Sequence, residues 1–236
     1  MIRYIQLNKF FDSVLLRQDV DRLLQFDWRS HYNTAHYSGS WTVLPLRSMH
    51  GDASNPIAVH AAALQENDFR DTPLMDLCTY IPQVLSFFQC ELTMVRLMKL
   101  DAGAVIKEHR DTDMSFEEGE CRLHIPVITH PAVEFYIEKE KIPMKEGECW
   151  YLNLSLPHRV VNPGPVDRIH LVIDCMVNDW VKELFSQEHP VRKDMEDDGM
   201  KDKQSAEQTR MVIAELRRQD TETSRALANQ LEAGLK

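Results

Sequence analysis

Two histidines and one aspartate stand where they could hold a metal ion. His109 and Asp111 lie in HRD, His158 lies in PHR, and Arg168 follows His158 by ten residues. Two imidazoles and one carboxylate on one side of a metal leave the opposite side open, the arrangement used by non-haem Fe(II) oxygenases. The same donors also suit Zn(II) and Mn(II), so donor type alone leaves the metal open. An HxD spacing by itself says little, because about one arises by chance in a chain of this composition. At the end of a strand, however, positions i and i+2 share a face, and both side chains can reach one ion.

Arg168 adds a second kind of chemistry. NPGP at 162–165 turns the chain, so Arg168 comes back near His158, either through a hairpin or across to a facing sheet. Arg168 alternates with His170 and Val172 on one strand face. A guanidinium inside a barrel is costly unless an anion meets it. A bidentate carboxylate is its natural partner, whether from an oxoacid co-substrate or from a protein Asp or Glu. Arg122 and His124, inside RLHIPVI, form a further polar pair on one face. They either line the site or face solvent while Leu123 and Ile125 point to the core.

These residues need strands to carry them. From Leu92 onward, seven short apolar or alternating runs occur: LTMVRLMKL, VIKEH, CRLHIPVIT, AVEFYIE, ECWYLNL, HRVVN and DRIHLVIDCMV. Turn signals (DAG, EEGE, THP, KEG and NPGP) separate them, and no helix-length segment intervenes, which argues for an all-β jelly roll and against a doubly wound α/β fold. Before them, residues 8–25 have helical spacing with a break expected near Gln18, and Trp41–Leu46 is strand-like. Pro73–Cys90 reads as a second helix, starting at Pro73 and kinked or broken at Pro82. The expected fold is mainly β, a jelly-roll or cupin-like domain over 1–190 with N-terminal supporting helices. Residues 191–236 read as a charged linker and a C-terminal helix over 207–235, with Leu227, Leu231 and Leu235 on one stripe. That helix either packs on the barrel or makes a homodimer contact.

Composition narrows the partners. With 43% hydrophobic residues the chain can bury one good-sized core. A net charge of −10 argues against nucleic acid or an anionic membrane as partner. No apolar run reaches the roughly 18 residues of a membrane span, and the N-terminus turns polar too early for a signal peptide. Five widely spaced cysteines without a CxxC pair read as reduced thiols, hence a cytoplasmic location.

HRD at 109–111, CRLHIPV at 121–127, GECWYLNLSLPHRVVN at 147–162 and Arg168 in DRIHLVIDC together resemble the aspartyl/asparaginyl β-hydroxylase family, which includes proline hydroxylases. The resemblance covers roughly residues 90–180, more weakly 35–50, and not the tail. It implies a double-stranded β-helix and an Fe(II)- and 2-oxoglutarate-dependent dioxygenase. The reaction would use O2, hydroxylate an amino acid, amino-acid derivative or peptide side chain, and release succinate and CO2. His109, Asp111 and His158 would bind iron. Arg168 would hold the distal carboxylate of 2-oxoglutarate, with Arg122 and His124 also at the co-substrate. Trp41 in GSWTVLPL would lie near the pocket. Arg47 and Arg110 are candidate docking points for a substrate carboxylate, or simple surface charges. Some members have Gly in place of Asp111; retention of Asp111 points to the three-ligand branch and to hydroxylation rather than halogenation. Met98 stands where the family has a hydroxyl that helps bind the co-substrate. The competing reading is a cupin-like Zn- or Mn-binding protein or isomerase with no 2-oxoglutarate turnover, and a third is a structural β-sandwich with incidental His and Asp.

Overall fold

Every strand expected after Leu92 forms, and each takes its place by alternation. The structure is a computed structural model. It describes residues 1–55, 68–111 and 114–195, together with Arg210, Ile213, Ala214, Arg217, Arg218, Arg225, Asn229 and Glu232. In chain order the described strands are β1 (Ile2–Phe10), β2 (Arg29–Ser30), β3 (Tyr37–Ser38), β4 (Trp41–Met49), β5 (Phe69–Asp71), β6 (Leu92–Leu100) and β7 (Val105–His109). They continue with β8 (Glu120–Ile128), β9 (Glu134–Ile137), β10 (Glu140–Lys141), β11 (Glu148–Leu152), β12 (His158–Val161), β13 (Arg168–Met176) and β14 (Val191–Asp194). The α-helices are α1 (Ser13–Leu23), α2 (Ile81–Leu85) and α3 (Asp179–Ser186).

Two antiparallel sheets result. The large one runs β14-β1-β11-β8-β13-β6-β4-β2, with β5 on β4, and the small one runs β10-β9-β12-β7-β3. This is the expected jelly-roll architecture. The central strands β8 and β11 are buried along their whole length, and β13 along all but its last residue. Period-2 alternation then sorts their side chains. One face of the large sheet carries Leu123, Ile125, Leu171, Ile173, Val95, Leu97, Leu44 and Leu46 into the main apolar core. Leu16, Val20 and Leu23 of α1, Ile81 and Val84 of α2, and Val181 and Phe185 of α3 close that core. The opposite face carries Arg122, His124, Arg168, His170, Asp174 and Arg96. Cross-strand register sets Asp174 against Arg122 and His170 against Met98. The helices therefore cover one face of the sheet and free the other for chemistry.

The N-terminal expectations need correction. The segment read as a helix from residue 8 begins as β1, which is held by pairing Ile5 with Tyr151 and Gln6 with Trp150 of β11. The helix starts only at Ser13, where Asp12 accepts from the backbone N–H groups of Val14 (2.9 Å) and Leu15 (3.1 Å). It runs unbroken past Gln18, which lies on its exposed side. The second helix is also shorter than the spacing predicts. A 3-10 turn at Met75–Leu77 ends in extended backbone at Cys78, and Pro82 sits in the first turn of α2 rather than breaking a longer helix.

The carboxylate of Asp19, fully buried on α1, ties these pieces together. It accepts from the N–H of Thr79 (2.8 Å), Tyr80 (2.8 Å) and Ile81 (2.8 Å), from Thr79 Oγ1 (3.0 Å) and from Arg22 Nη1 (2.6 Å). It thus caps α2 from another element.

At the other end, Val191–Asp194 is a strand on β1, with Ile5 opposite Arg192, although it read as linker. The eight described C-terminal positions are helical. Arg217 pairs with Glu232 at 2.6 Å. Most of the helix expected over 207–235 lies outside the described residues. Leu227, Leu231 and Leu235 lie outside the described residues. No described helix is long and apolar enough to cross a membrane.

Asp19→Asn should destabilise the fold by about 3 kcal/mol at neutral pH, read by urea denaturation, because several buried donors lose their charged acceptor. Burial pushes the Asp19 carboxyl up, but its hydrogen bonds from Thr79, Ile81 and Tyr80 outweigh burial and hold it below the usual carboxylate range. A depressed folded-state value means that the contribution is complete above the unfolded value and is lost as pH falls through the folded one. The gap between wild type and variant should therefore narrow below about pH 4. A gap that stays constant would show that the carboxylate's charge contributes nothing.

Candidate metal centre

His158 opens β12 and stands directly opposite His109, the last residue of β7. The two rings are 4.2 Å apart between centroids. His109 Nε2 lies 3.6 Å from Asp111 Oδ1. One ligand atom each from His109, Asp111 and His158 fall within 4.8 Å of one another. The backbone N–H of Asp111 donates to the Leu154 carbonyl (2.9 Å).

Both rings are oriented by main chain. His109 Nδ1 lies 2.8 Å from the Lys107 carbonyl and His158 Nδ1 lies 3.0 Å from the Leu156 carbonyl. A carbonyl only accepts, so each Nδ1 carries the proton and each Nε2 presents a lone pair. Burial pushes His158 down to about 4, partly offset by Asp111, so its ring is neutral and ready to ligate. Two such imidazoles with one carboxylate fit Fe(II) in a three-ligand site.

Asp111 is itself held. Its Oδ2 accepts from Arg122 Nη1 at 2.5 Å. Arg122 turns its other edge to Asp174, with Nε to Oδ1 at 2.6 Å and Nη2 to Oδ2 at 2.9 Å. Arg96 Nη2 reaches the same Asp174 Oδ2 at 2.5 Å. Burial, the largest single influence, pushes both carboxyls up, but the neighbouring groups together outweigh it and hold them below the usual range, Arg122 foremost in each case, with His158 at Asp111 and Arg96 at Asp174. Arg122 therefore spends its donors on protein carboxylates, and its role is to aim Asp111.

A cavity of about 360 Å³ opens beside the triad and is lined by Trp41, Met98, Arg110, Arg122, His124 and Arg168, among others. Several buried donors face it unsatisfied. His124 has neither ring nitrogen bonded, and Trp41 Nε1 and Arg168 Nε have no hydrogen-bond partner among the described residues. Arg168 has no carboxylate partner among the described residues. Its Nη2 donates to His170 Nδ1 at 2.9 Å, and its guanidinium carbon lies 5.8 Å from the Phe135 ring centre. Burial alone lowers its guanidinium to about 9, the mark of a cation left without a counter-ion. The chain leaving His158 does not make a hairpin to reach it. It crosses from the small sheet to the large one, and Asn162 fixes that crossing by donating to the carbonyls of Leu100 (3.0 Å) and Val166 (2.9 Å).

The expected residues sort clearly. His109, Asp111, His158, Arg122, His124, Arg168, Trp41 and Arg110 meet at one cavity, with Arg110 at the mouth, donating to the Ser155 carbonyl at 2.8 Å. Arg47 does not. A register shift after Pro45 sets it opposite Val95, and its guanidinium is taken by Asp71 (2.8 Å) and the Leu92 carbonyl (3.0 Å). The sequence reading missed Arg96 and Asp174, although each is a charge flanked by apolar residues in its strand and Asp174 shares a face with Arg168. It also missed His31 and His36. His31 stacks on Trp41 (3.6 Å between centroids, 10°) and His36 lies 5.1 Å from the His109 ring. Burial lowers His31 to about 3. Nothing in the loop's sequence marks that placement.

A family model described as aspartyl/asparaginyl β-hydroxylase matches residues 12–177. An L-proline cis-4-hydroxylase of Rhizobium meliloti (strain 1021) is 28% identical over 193 residues, or 79% of this chain; the match spans 66% of that relative's own length. Among solved structures, HygX from Streptomyces hygroscopicus, with nickel and 2-oxoglutarate bound, superposes with a TM-score of 0.46 at 10% identity, covering 75% of this chain and 84% of that one. The 2-oxoglutarate-dependent epimerase SnoN from nogalamycin biosynthesis gives 0.46 at 8% identity, covering 83% and 92%.

Arg122→Lys keeps the charge but cannot bridge two carboxylates. It should weaken metal binding about tenfold or more, read by Mn(II) titration under EPR, because Asp111 loses its orienting partner. Unchanged affinity would show that Asp111 needs no such hold.

Proposed function

Because the chain belongs to the aspartyl/asparaginyl β-hydroxylase family, we propose that it is an Fe(II)- and 2-oxoglutarate-dependent dioxygenase that hydroxylates a small amino acid, an amino-acid derivative or a peptide side chain. The observation that carries this reading is Arg168: a buried guanidinium with no carboxylate partner among the described residues, on the wall of the cavity that holds the triad. A metal site alone would not require it. A dicarboxylate co-substrate would.

His109, Asp111 and His158 hold the iron. When bound, it supplies the oxidising chemistry, with O2 and 2-oxoglutarate as co-substrates and succinate and CO2 as co-products. The protein's own residues set position. Arg168 receives the far carboxylate of 2-oxoglutarate through charge-assisted hydrogen bonds. His124 is pushed well below the usual imidazole range, by burial first and then by Arg168 and Arg122, so it stays neutral and offers one donor beside the co-substrate. Met98 lines the same wall and contributes only packing, where the family has a hydroxyl. Trp41 and Arg110 flank the open side, where the substrate enters. A tail-mediated homodimer remains a separate proposal, tested by truncation after Asp194 and a solution mass measurement.

Iron-loaded protein given 2-oxoglutarate, O2 and a panel of free amino acids, derivatives and short peptides should form succinate and one product heavier by an oxygen atom, read by mass spectrometry. Failure to form succinate with every member of the panel would return the chain to the cupin-like binding reading. Arg168→Met should raise the KM for 2-oxoglutarate by about a hundredfold, since two charge-assisted bonds are lost. His109→Ala should abolish turnover.

A further inference from the structure

A second cavity, of about 590 Å³, lies beyond Arg168. Arg168 and Phe135 line both cavities, and so form the partition between them. His170 lines only the far one. Arg168 has donors only, so His170 Nδ1 accepts from it and the ring proton sits on Nε2. That leaves a buried N–H, on a residue 1% exposed, whose open side is the far cavity. Lys145 and His130 add positive or donor groups round the rim, with Lys141, whose Nζ already meets Glu134 at 3.6 Å; the lining carboxylate, Glu146, accepts from the Thr129 N–H at 3.1 Å. Val133, Ile142 and Met144 supply apolar wall.

We propose that this far cavity binds a small organic carboxylate with an apolar body, its carboxylate on His170 and the rear edge of Arg168. The charge of the lining excludes a cation, and the apolar wall favours a hydrocarbon body over a bare inorganic anion. The guanidinium that serves the co-substrate is thereby shared with the occupant of the far cavity. Occupancy there and 2-oxoglutarate binding then oppose each other, and the opposition is reciprocal. This coupling rests on the role proposed above for Arg168; the far site itself does not.

The probe is 4-phenylbutyrate, which has no 2-oxo group with which to chelate iron. Calorimetric titration of the metal-free wild type should show one saturable site, with Kd on the order of 1 mM or tighter. Lys145→Glu, at an exposed position, and Met144→Trp, at the rim, should each weaken it about tenfold. Neither residue lines the iron cavity, so both variants should keep wild-type formation of succinate. In the wild type, 4-phenylbutyrate should raise the KM for 2-oxoglutarate, and both variants should blunt that rise. Absence of saturable binding, or equal binding by wild type and both variants, overturns the far site. The two proposals fail separately. Succinate formation without probe binding removes the far site alone. Rim-sensitive binding without succinate formation removes the oxygenase reading and leaves the far site standing.

Discussion

The carboxylate of Asp174 is the buried centre on which the site depends. It sits in the middle of β13 with Arg122 on one side and Arg96 on the other, all three removed from water. A single carboxylate between two guanidiniums makes their burial tolerable, and it fixes where the free edge of Arg122 points. That edge meets Asp111 on the facing sheet. One strand thus carries the anion that positions Arg122 and, six residues earlier on the same face, a cation with no carboxylate partner among the described residues.

The helices make this arrangement affordable in apolar terms. With α1, α2 and α3 covering one face of the large sheet, the main core lies outside the barrel, between sheet and helices. The barrel interior is then released from supplying most of the hydrophobic stabilisation, and it can hold arginines, histidines and aspartates at the density seen here. Asp19 serves that outer layer, since it ties α1 to the start of α2.

Much of this was legible in the sequence. Seven strands were readable because alternating apolar runs separated by turn signals report directly on a half-buried pleat. The triad with Arg168, and the polar face of Arg122 and His124, were legible for the same reason. What escaped has physical causes. Residues 2–10 carry too mixed a pattern to show as a strand, since Gln6 turns into the barrel and Asn8 and Phe10 are exposed, and pairing with β11 decides the matter. Arg47 follows the alternation that would send it inward until a register shift after Pro45 reverses it. His31 and His36 reach the cavity through a loop whose path depends on tertiary contacts, chiefly the stack on Trp41.

The two histidines of the candidate metal centre take their orientation from carbonyls two residues earlier in their own chain, at Lys107 and Leu156. A peptide carbonyl is present whatever side chain the residue bears. Substitutions elsewhere on the cavity wall therefore leave the aim of the imidazoles untouched. The aim of the two imidazoles is thus carried by the backbone path, whereas that of Asp111 is carried by the replaceable side chain of Arg122.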